Sequence, residues 1–366
     1  MRLQWACVLG AGLLVSGASR AQESGGALLS GSLLTDLAAV ETFGGPFFDQ
    51  FDLSGMGRLT LNLRNRDTRR ARIDASADLI LLYGLAADLV TSSYPDAFAA
   101  LSASDGAVLV DIRKLYGALY FPFADVSVGR QIINFGYGQV FSPLDIFSSV
   151  DVLDLAFRRS GSDVARVKVP FGPLAGADVV ARLSSRSRGA AAAGKFFWHA
   201  GTFDFSAVGM YRGAEEEVVS GLGLKGDLVL GVHAEAVEHW SLHGGQWFLG
   251  MTGADYSIGE RWLLAAEYHY NERPGIATLA GSGTVLPGRH SAFASVQCRI
   301  NDLMSVSLAG LGDIEDGYGM VTAQYFYNVF QNVNATVYVR AFGDGGMEWL
   351  ADMPDMQYGL RLEMAL

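Results

Sequence analysis

Polar and apolar residues alternate without a break from Gln357 to Leu366. Tyr358, Leu360, Leu362, Met364 and Leu366 are apolar, while Gln357, Gly359, Arg361 and Glu363 are polar or small. A period of two predicts a β-strand with one face in apolar surroundings and the other in polar ones. The pattern recurs from Asn332 to Phe342, where Val333, Ala335, Val337, Val339 and Ala341 alternate with Asn334, Thr336, Tyr338 and Arg340. Leu53–Arg64, Arg72–Tyr83, Ala175–Ser184, Thr202–Tyr211, Leu228–Glu238, Arg261–Asn271, His290–Ile300 and Tyr318–Asn328 alternate as well. Stretches near Val108–Phe121 and Val218–Lys225 break phase, as a bulged strand would. Altogether about 18 segments have strand character, each near the length a tilted membrane-crossing strand needs.

The connections alternate too. Short ones fall at Phe121-Pro122-Phe123, Pro170–Pro173, Ala200-Gly201, Gly226-Asp227, Gly259-Glu260, Ile300-Asn301-Asp302 and Phe330-Gln331. Longer ones lie between them at 84–107, 134–162, 272–289 and 342–356. Short periplasmic turns alternating with longer extracellular loops are the rhythm of an outer-membrane barrel. The predicted fold is therefore all-β: a transmembrane antiparallel up-and-down β-barrel of about 18 strands, with 16 as the alternative count. A barrel of that size leaves an aqueous channel.

Composition is consistent with this expectation. Mean hydropathy is +0.23 and half of the residues are hydrophobic, yet no apolar run is long enough to cross a bilayer as a helix. The 45 glycines suit turns and curved strands better than long helices. Residues 1–21 combine Arg2, an apolar run from Trp5 to Val15 and the ending Ala18-Ser19-Arg20-Ala21, which reads as a cleaved secretory signal peptide. The barrel is then expected over 22–366. Loss of Arg2 and Arg20 leaves 25 basic against 38 acidic residues, a net charge of −13, which argues against nucleic acid as a partner. Cys298 is the one cysteine of the expected mature chain, so no internal disulfide is expected.

The most distinctive segment runs from Ser127 to Phe157. A strand ending at Asn134 is followed by Gly136, Gly138 and then Ser142-Pro143-Leu144-Asp145, which is written like a helix start. The rest is too apolar for an exterior loop. A loop over about 134–163 that folds into the mouth would bury those apolar residues against the wall and hold Asp145, Asp151 and Asp154 over the lumen.

Here the chain resembles a family of outer-membrane porin-like barrels carrying V-G-R-Q, then an F-G or W-G step, then P-x-D-x-F. The matching residues are Val128-Gly129-Arg130-Gln131, Phe135-Gly136, and Pro143, Asp145 and Phe147. The C-terminal strand also resembles a barrel-assembly signal, although it ends in Leu366 and not an aromatic. The resemblance implies a bacterial outer-membrane location and barrel architecture more than a cargo, and the C-terminal strand implies the barrel-assembly machinery as a partner; outer-membrane lipid and small polar solutes are the other expected partners, and an oligomer is possible.

Strand phase supplies the other half of a pore constriction. Leucines at 59, 61 and 63 turn Arg58, Thr60, Asn62 and Arg64 inward, and the same logic turns Arg72, Asp74 and Asp78 inward. Arg166, Lys168, Arg182, Arg340 and Arg361 add inward cations. Arginines on the wall (Arg58, Arg64 and Arg72) facing loop acids (Asp145, Asp151 and Asp154) would set a transverse field across a narrow gap. They could equally be solvated lining. Arg130 shares phase with Val128 and Ile132 and so faces lipid, unless its strand is bulged. His233, Glu235, Glu267 and His269 are the best metal candidates, but their spread fits polar lining better, and no metal or cofactor is expected. No serine is fixed beside a histidine and an acid, so catalysis is not expected. The leading function is passive diffusion of small hydrophilic solutes. The alternatives are a plugged receptor or adhesin barrel, or a specific uptake or export channel.

Overall fold

The computed structural model describes residues 26–41, 51–65, 69–84, 98–103, 106–148, 150–151, 154–182, 190–274, 288–315, 317–344 and 355–366. The expected signal peptide lies outside the described residues, as do large parts of the expected connections 84–107, 272–289 and 342–356. Nineteen strands run along the described chain: β1 Ala27–Glu41, β2 Phe51–Asn65, β3 Ala71–Tyr83, β4 Phe98–Ala103, β5 Gly106–Tyr120, β6 Asp125–Gln131 and β7 Ser162–Pro170. There follow β8 Ala175–Arg182, β9 Ala191–Ala200, β10 Phe203–Arg212, β11 Glu217–Asp227, β12 Gly231–Ser241 and β13 Gln246–Ile258. The last six are β14 Trp262–Asn271, β15 His290–Asn301, β16 Met304–Asp313, β17 Tyr318–Phe330, β18 Val333–Asp344 and β19 Met356–Ala365.

Eighteen of these close into one antiparallel ring. Neighbours in sequence are neighbours in the sheet, and β19 returns to β1 from Ser32↔Ala365 to Glu41↔Met356. β3 pairs directly with β5, and the short β4 is a hairpin appended to the first residues of β5. Closure leaves the ring without an unpaired edge, which is what backbone in a bilayer requires. The phase break expected near Val108–Phe121 is a bulge: Ser76 pairs with Lys114 and Ala77 with Ile112, so Arg113 is the extra residue.

Side chains alternate as the pattern predicts. On β3, Asp74, Ser76, Asp78, Ile80 and Leu82 are buried inside, while Ile73, Leu79 and Leu81 are exposed outside. Leu61, Leu63, Val337, Leu360 and Leu362 extend the exposed apolar exterior. In water such a surface would be an aggregation liability; in a bilayer it is the lipid face.

The interior is two-sided, which strand phase alone does not reveal. From β7 to β13 the inward residues include Val164, Val180, Ala193, Val208, Met210, Val219, Val237 and Leu249, all buried in one apolar cluster. From β18 round to β3 the inward residues include the charged and polar Arg340, Arg361, Asp36, Arg58, Thr60, Asp74 and Asp78, interspersed with Leu34, Val40, Ile80 and Leu82. A segment that enters the lumen with its own apolar side chains has one side of the wall to pack against.

Candidate functional site: a segment that crosses the lumen

The connection between β6 and β7, residues 132–161, enters the barrel. Ile133, Phe135, Leu144, Ile146 and Phe147 join the apolar wall cluster. Val140 and Phe141 pack with Met251, Phe293, Leu311 and Tyr318. Irregular backbone buried in this way must find partners for its N–H groups. Carboxylates supply them. Glu235 on β12 accepts from the N–H groups of Tyr137 (2.5 Å), Gly138 (3.2 Å) and Leu144 (3.0 Å). Glu267 on β14 accepts from those of Gln139 (2.5 Å), Val140 (3.0 Å) and Phe141 (2.9 Å). Asp145 turns back on its own segment and accepts from Phe135 (2.5 Å) and Gly136 (2.7 Å) while pairing with Arg159. Lys195 on β9 donates to the Phe135 carbonyl at 2.5 Å.

The expected helix start does not form. Ser142-Pro143-Leu144-Asp145 makes one turn, closed by the Asp145 N–H donating to the Ser142 carbonyl at 2.9 Å. The Ser142 hydroxyl, which a helix would use as a cap, goes to Glu235 instead. Gly136 and Gly138 permit the close packing: a Cβ at 136 would lie 1.8 Å from the Ser142 hydroxyl, and one at 138 would lie 1.7 Å from the Phe141 carbonyl oxygen.

The returning limb is held on the opposite wall. Asp154 accepts from Arg58 of β2 at 2.9 Å and from Arg361 of β19 at 3.0 Å. Arg361 also holds Asp36 of β1 at 2.7 Å, and the Tyr338 hydroxyl donates to Asp36 at 2.8 Å. Arg158 pairs with Asp78 at 2.6 Å, and Thr60 donates to the same carboxylate at 2.6 Å. In a ring of 18 strands β2 and β12 are nine apart, so the segment is tethered on diametrically opposed sides. Burial penalises a charged Asp154, but the Arg58 and Arg361 guanidinia win and hold its carboxyl well below the usual carboxylate range.

Of the residues expected at a constriction, the structure brings Asp154 and Arg58 into contact. Asp145 lies away from them, fully buried beside Arg159. Asp151 is half-buried, and its N–H donates to the Arg158 carbonyl at 2.8 Å. Arg64 is exposed at the end of β2, and Arg72 pairs with Asp74 near the adjoining turn. Arg64 lies six positions along β2 from Arg58, about 20 Å of strand. Arg64 and Arg72 therefore belong to the mouth on the side of the chain termini, not to the Asp154 contact. Arg130 stands in register with outward Leu115 and with Asp163, its ion-pair partner at 3.3 Å.

Glu235 and Glu267, considered for metal binding, are the residues that fix the segment. His233 lies 3.1 Å from Glu267, and His269 stacks on Phe141 with ring centroids 5.3 Å apart. Among the described residues no group of three or more potential ligands could hold a metal. The sequence signal was the inward pairing of an acid with a histidine two residues away. Its partner is backbone 91–128 residues distant, which no side-chain pattern announces. Beside the returning limb lies a small pocket lined by Asp154, Phe157, Phe293, Leu311, Thr322 and Arg340 among others.

No protein-family model matches this chain, and no curated protein sequence does. Solved structures do. The chain is similar to Pseudomonas aeruginosa OccK8 (OprE) at 9% identity and a TM-score of 0.60, over 93% of this chain and 98% of that one. It is similar to Acinetobacter baumannii OccAB4 at 8% identity and a TM-score of 0.58, over 93% and 98%. It is also similar to Wzi of Escherichia coli, described as a carbohydrate-binding β-barrel involved in capsule assembly, at 12% identity and a TM-score of 0.58, over 91% and 84%. At such identities the likeness is one of fold: this chain shares the closed antiparallel β-barrel architecture of these proteins.

Proposed function

We propose that the protein is a narrow outer-membrane channel for passive diffusion of small hydrophilic solutes. The observation that carries this reading is the double tether of residues 132–161. Its apolar limb packs mainly on β7–β13, so in this reading solutes pass beside the returning limb, along the pocket lined by Asp154, Thr322, Gln324 and Arg340, with Arg58 and Arg361 paired to Asp154 behind it. Asp154 and Arg340, on the lining of that pocket, would orient dipolar and ionic solutes as they pass. Asp154, with Asp151 nearby on the same limb, and Arg58 form the narrowest polar contact in this reading. Asp145, Arg64 and Arg72 act elsewhere: the first shapes the segment and the other two line the terminal-side mouth. Neither a catalytic step nor a metal enters the proposal.

A second reading is a plugged barrel that binds at its surface. The density of loop-to-wall hydrogen bonds favours it, and one fold neighbour is described as carbohydrate-binding. Single-channel recording of the refolded protein in planar bilayers separates the two. The channel reading expects discrete conductance steps in the wild type and larger ones after deletion of Ser148–Leu155. A silent wild type that conducts only after the deletion would establish the plug.

A further inference from the structure

Five of the six histidines lie against a carboxylate: His199 with Asp204, His233 with Glu267, His239 with Glu217, His243 with Glu216 and His290 with Glu315. His269 on β14 is the exception. It is fully buried, and neither ring nitrogen has a hydrogen-bond partner among the described residues. Its neighbour is the inward segment: the ring stacks on Phe141 with centroids 5.3 Å apart and 19° between the planes. In a stacked pair the imidazole N–H bonds lie in the ring plane, so Phe141 accepts neither.

The charged groups around this pair are committed elsewhere. On the same strand, Glu267 accepts from the N–H groups of Gln139, Val140 and Phe141 and lies 3.1 Å from His233 of β12. Glu235 of β12 accepts from Tyr137, Gly138 and Leu144. On β13 the residue opposite His269 is Met251; on β15 it is Ser291, whose hydroxyl donates to Asp313 of β16 at 3.4 Å. Tyr318 of β17 packs in the same cluster as Phe141 and brings a phenol, not a charge. A neutral imidazole fits such a place as an aromatic ring. An imidazolium does not, because it carries two N–H donors and a charge, and burying these without partners is costly.

We propose that the His269–Phe141 stack is an acid-sensitive latch, and that protonation of His269 undocks residues 139–141 from β14. Above about pH 6.5, the ordinary imidazole value, the ring is neutral whether docked or released, and docking is at full strength. Below it the released ring takes up a proton for which the docked ring has no acceptor, so docking weakens about tenfold per pH unit. His233 works in the opposite sense, since as a cation it would pair with Glu267 more strongly. The latch acts on the segment whether or not the barrel conducts; only its effect on flux rests on the channel reading.

The test compares Val140→Cys, at a fully buried position, with Gln139→Cys, at an exposed one, each in a Cys298→Ser background. The proteins are refolded in phospholipid vesicles and selected by heat-modifiable gel mobility. Their reaction with a dithiodipyridine, which modifies thiols in acid as well as at neutrality, is followed from pH 7.5 to 5.5. The rate at 140 relative to 139 should rise about tenfold over this range. The rise should vanish in His269→Phe, which keeps a ring on Phe141 but takes no proton, and persist in His233→Gln. If His269→Phe does not fold, His269→Leu serves in its place. A flat ratio with His269 present overturns the proposal. So does a rise that survives its replacement, which would assign the response to Glu235 or another carboxylate. Single-channel conductance recorded alongside separates the latch from the channel reading. Accessibility that rises without conductance supports the latch and counts against the channel, whereas conductance that rises without accessibility overturns the latch.

Discussion

Arg361 on the last strand donates to Asp154 at 3.0 Å, tying the chain's C-terminal strand to a segment 207 residues earlier. The same guanidinium holds Asp36 on the first strand at 2.7 Å, so one side chain links the barrel's seam to the segment that enters its lumen. Closure of the ring and placement of the inward segment are therefore coupled.

Asp154→Asn should release the returning limb. Breaking a buried ion pair from one side leaves uncompensated charge and costs about 3–5 kcal/mol, here with Arg58 and Arg361 left facing each other. The variant should show faster hydrogen exchange across 154–159. Its reversal potential should shift toward anions, more at low salt, where screening is weaker. Unchanged exchange and an unchanged potential would place Asp154 outside the conducting path.

Acid should remove the same tether, and the sign follows from the direction of the shift. The Asp154 carboxyl is held below its ordinary value of about 3.9 by the two arginines, so its contribution is complete above that value. It is lost only as the pH falls through the lowered folded-state value. The stability difference between wild type and Asp154→Asn should stay constant from neutral pH down to about pH 5 and shrink in stronger acid. A difference that disappears near neutrality would contradict this.

Glu267→Gln tests the other anchor. The amide keeps one acceptor but turns an NH₂ toward backbone N–H groups at Gln139, Val140 and Phe141. Hydrogen bonds to a charged acceptor are worth about 1.5–3 kcal/mol each. Open-channel noise should rise, and residues 137–141 should become accessible to protease. Glu235→Gln should act similarly at Tyr137, Gly138 and Leu144, and the double variant should exceed either single one.

Arginine at Val337 should impair assembly more than arginine at Thr336. Val337 is exposed on the lipid face, while Thr336 points inward beside Arg361. A lipid-facing arginine near mid-membrane costs about 2–4 kcal/mol, and an inward one stays hydrated. Heat-modifiable mobility of the two variants reads the difference; equal behaviour would reverse the facing assignment.

The barrel was legible because its signal is local. A strand shows its facing in any five consecutive residues, so Arg58, Thr60, Asp74, Asp78, Arg340 and Arg361 could be turned inward from sequence alone. The wall facing lipid must be apolar along its whole length, which made Val333–Ala341 and Tyr358–Leu366 unambiguous. Strand number followed from repeating that local rule, and the phase break near Arg113 was visible for the same reason. The apolar character of residues 132–161 was equally readable. Its partners were not: an inward valine on β8 and an inward aspartate on β3 obey the same alternation, and nothing local says that β7–β13 would gather the apolar cluster and β18–β3 the ion pairs to Asp154 and Arg158. The clamps were hidden more deeply, because Glu235 and Glu267 bind backbone N–H groups, which every residue but proline carries. Arg64 and Arg72 were correctly inward but about 20 Å from Arg58, since phase gives a face and not a height. Sequence by itself determined which side of the sheet each residue takes. Only the closed ring, by bringing strands nine apart across one lumen, decided which of them meet.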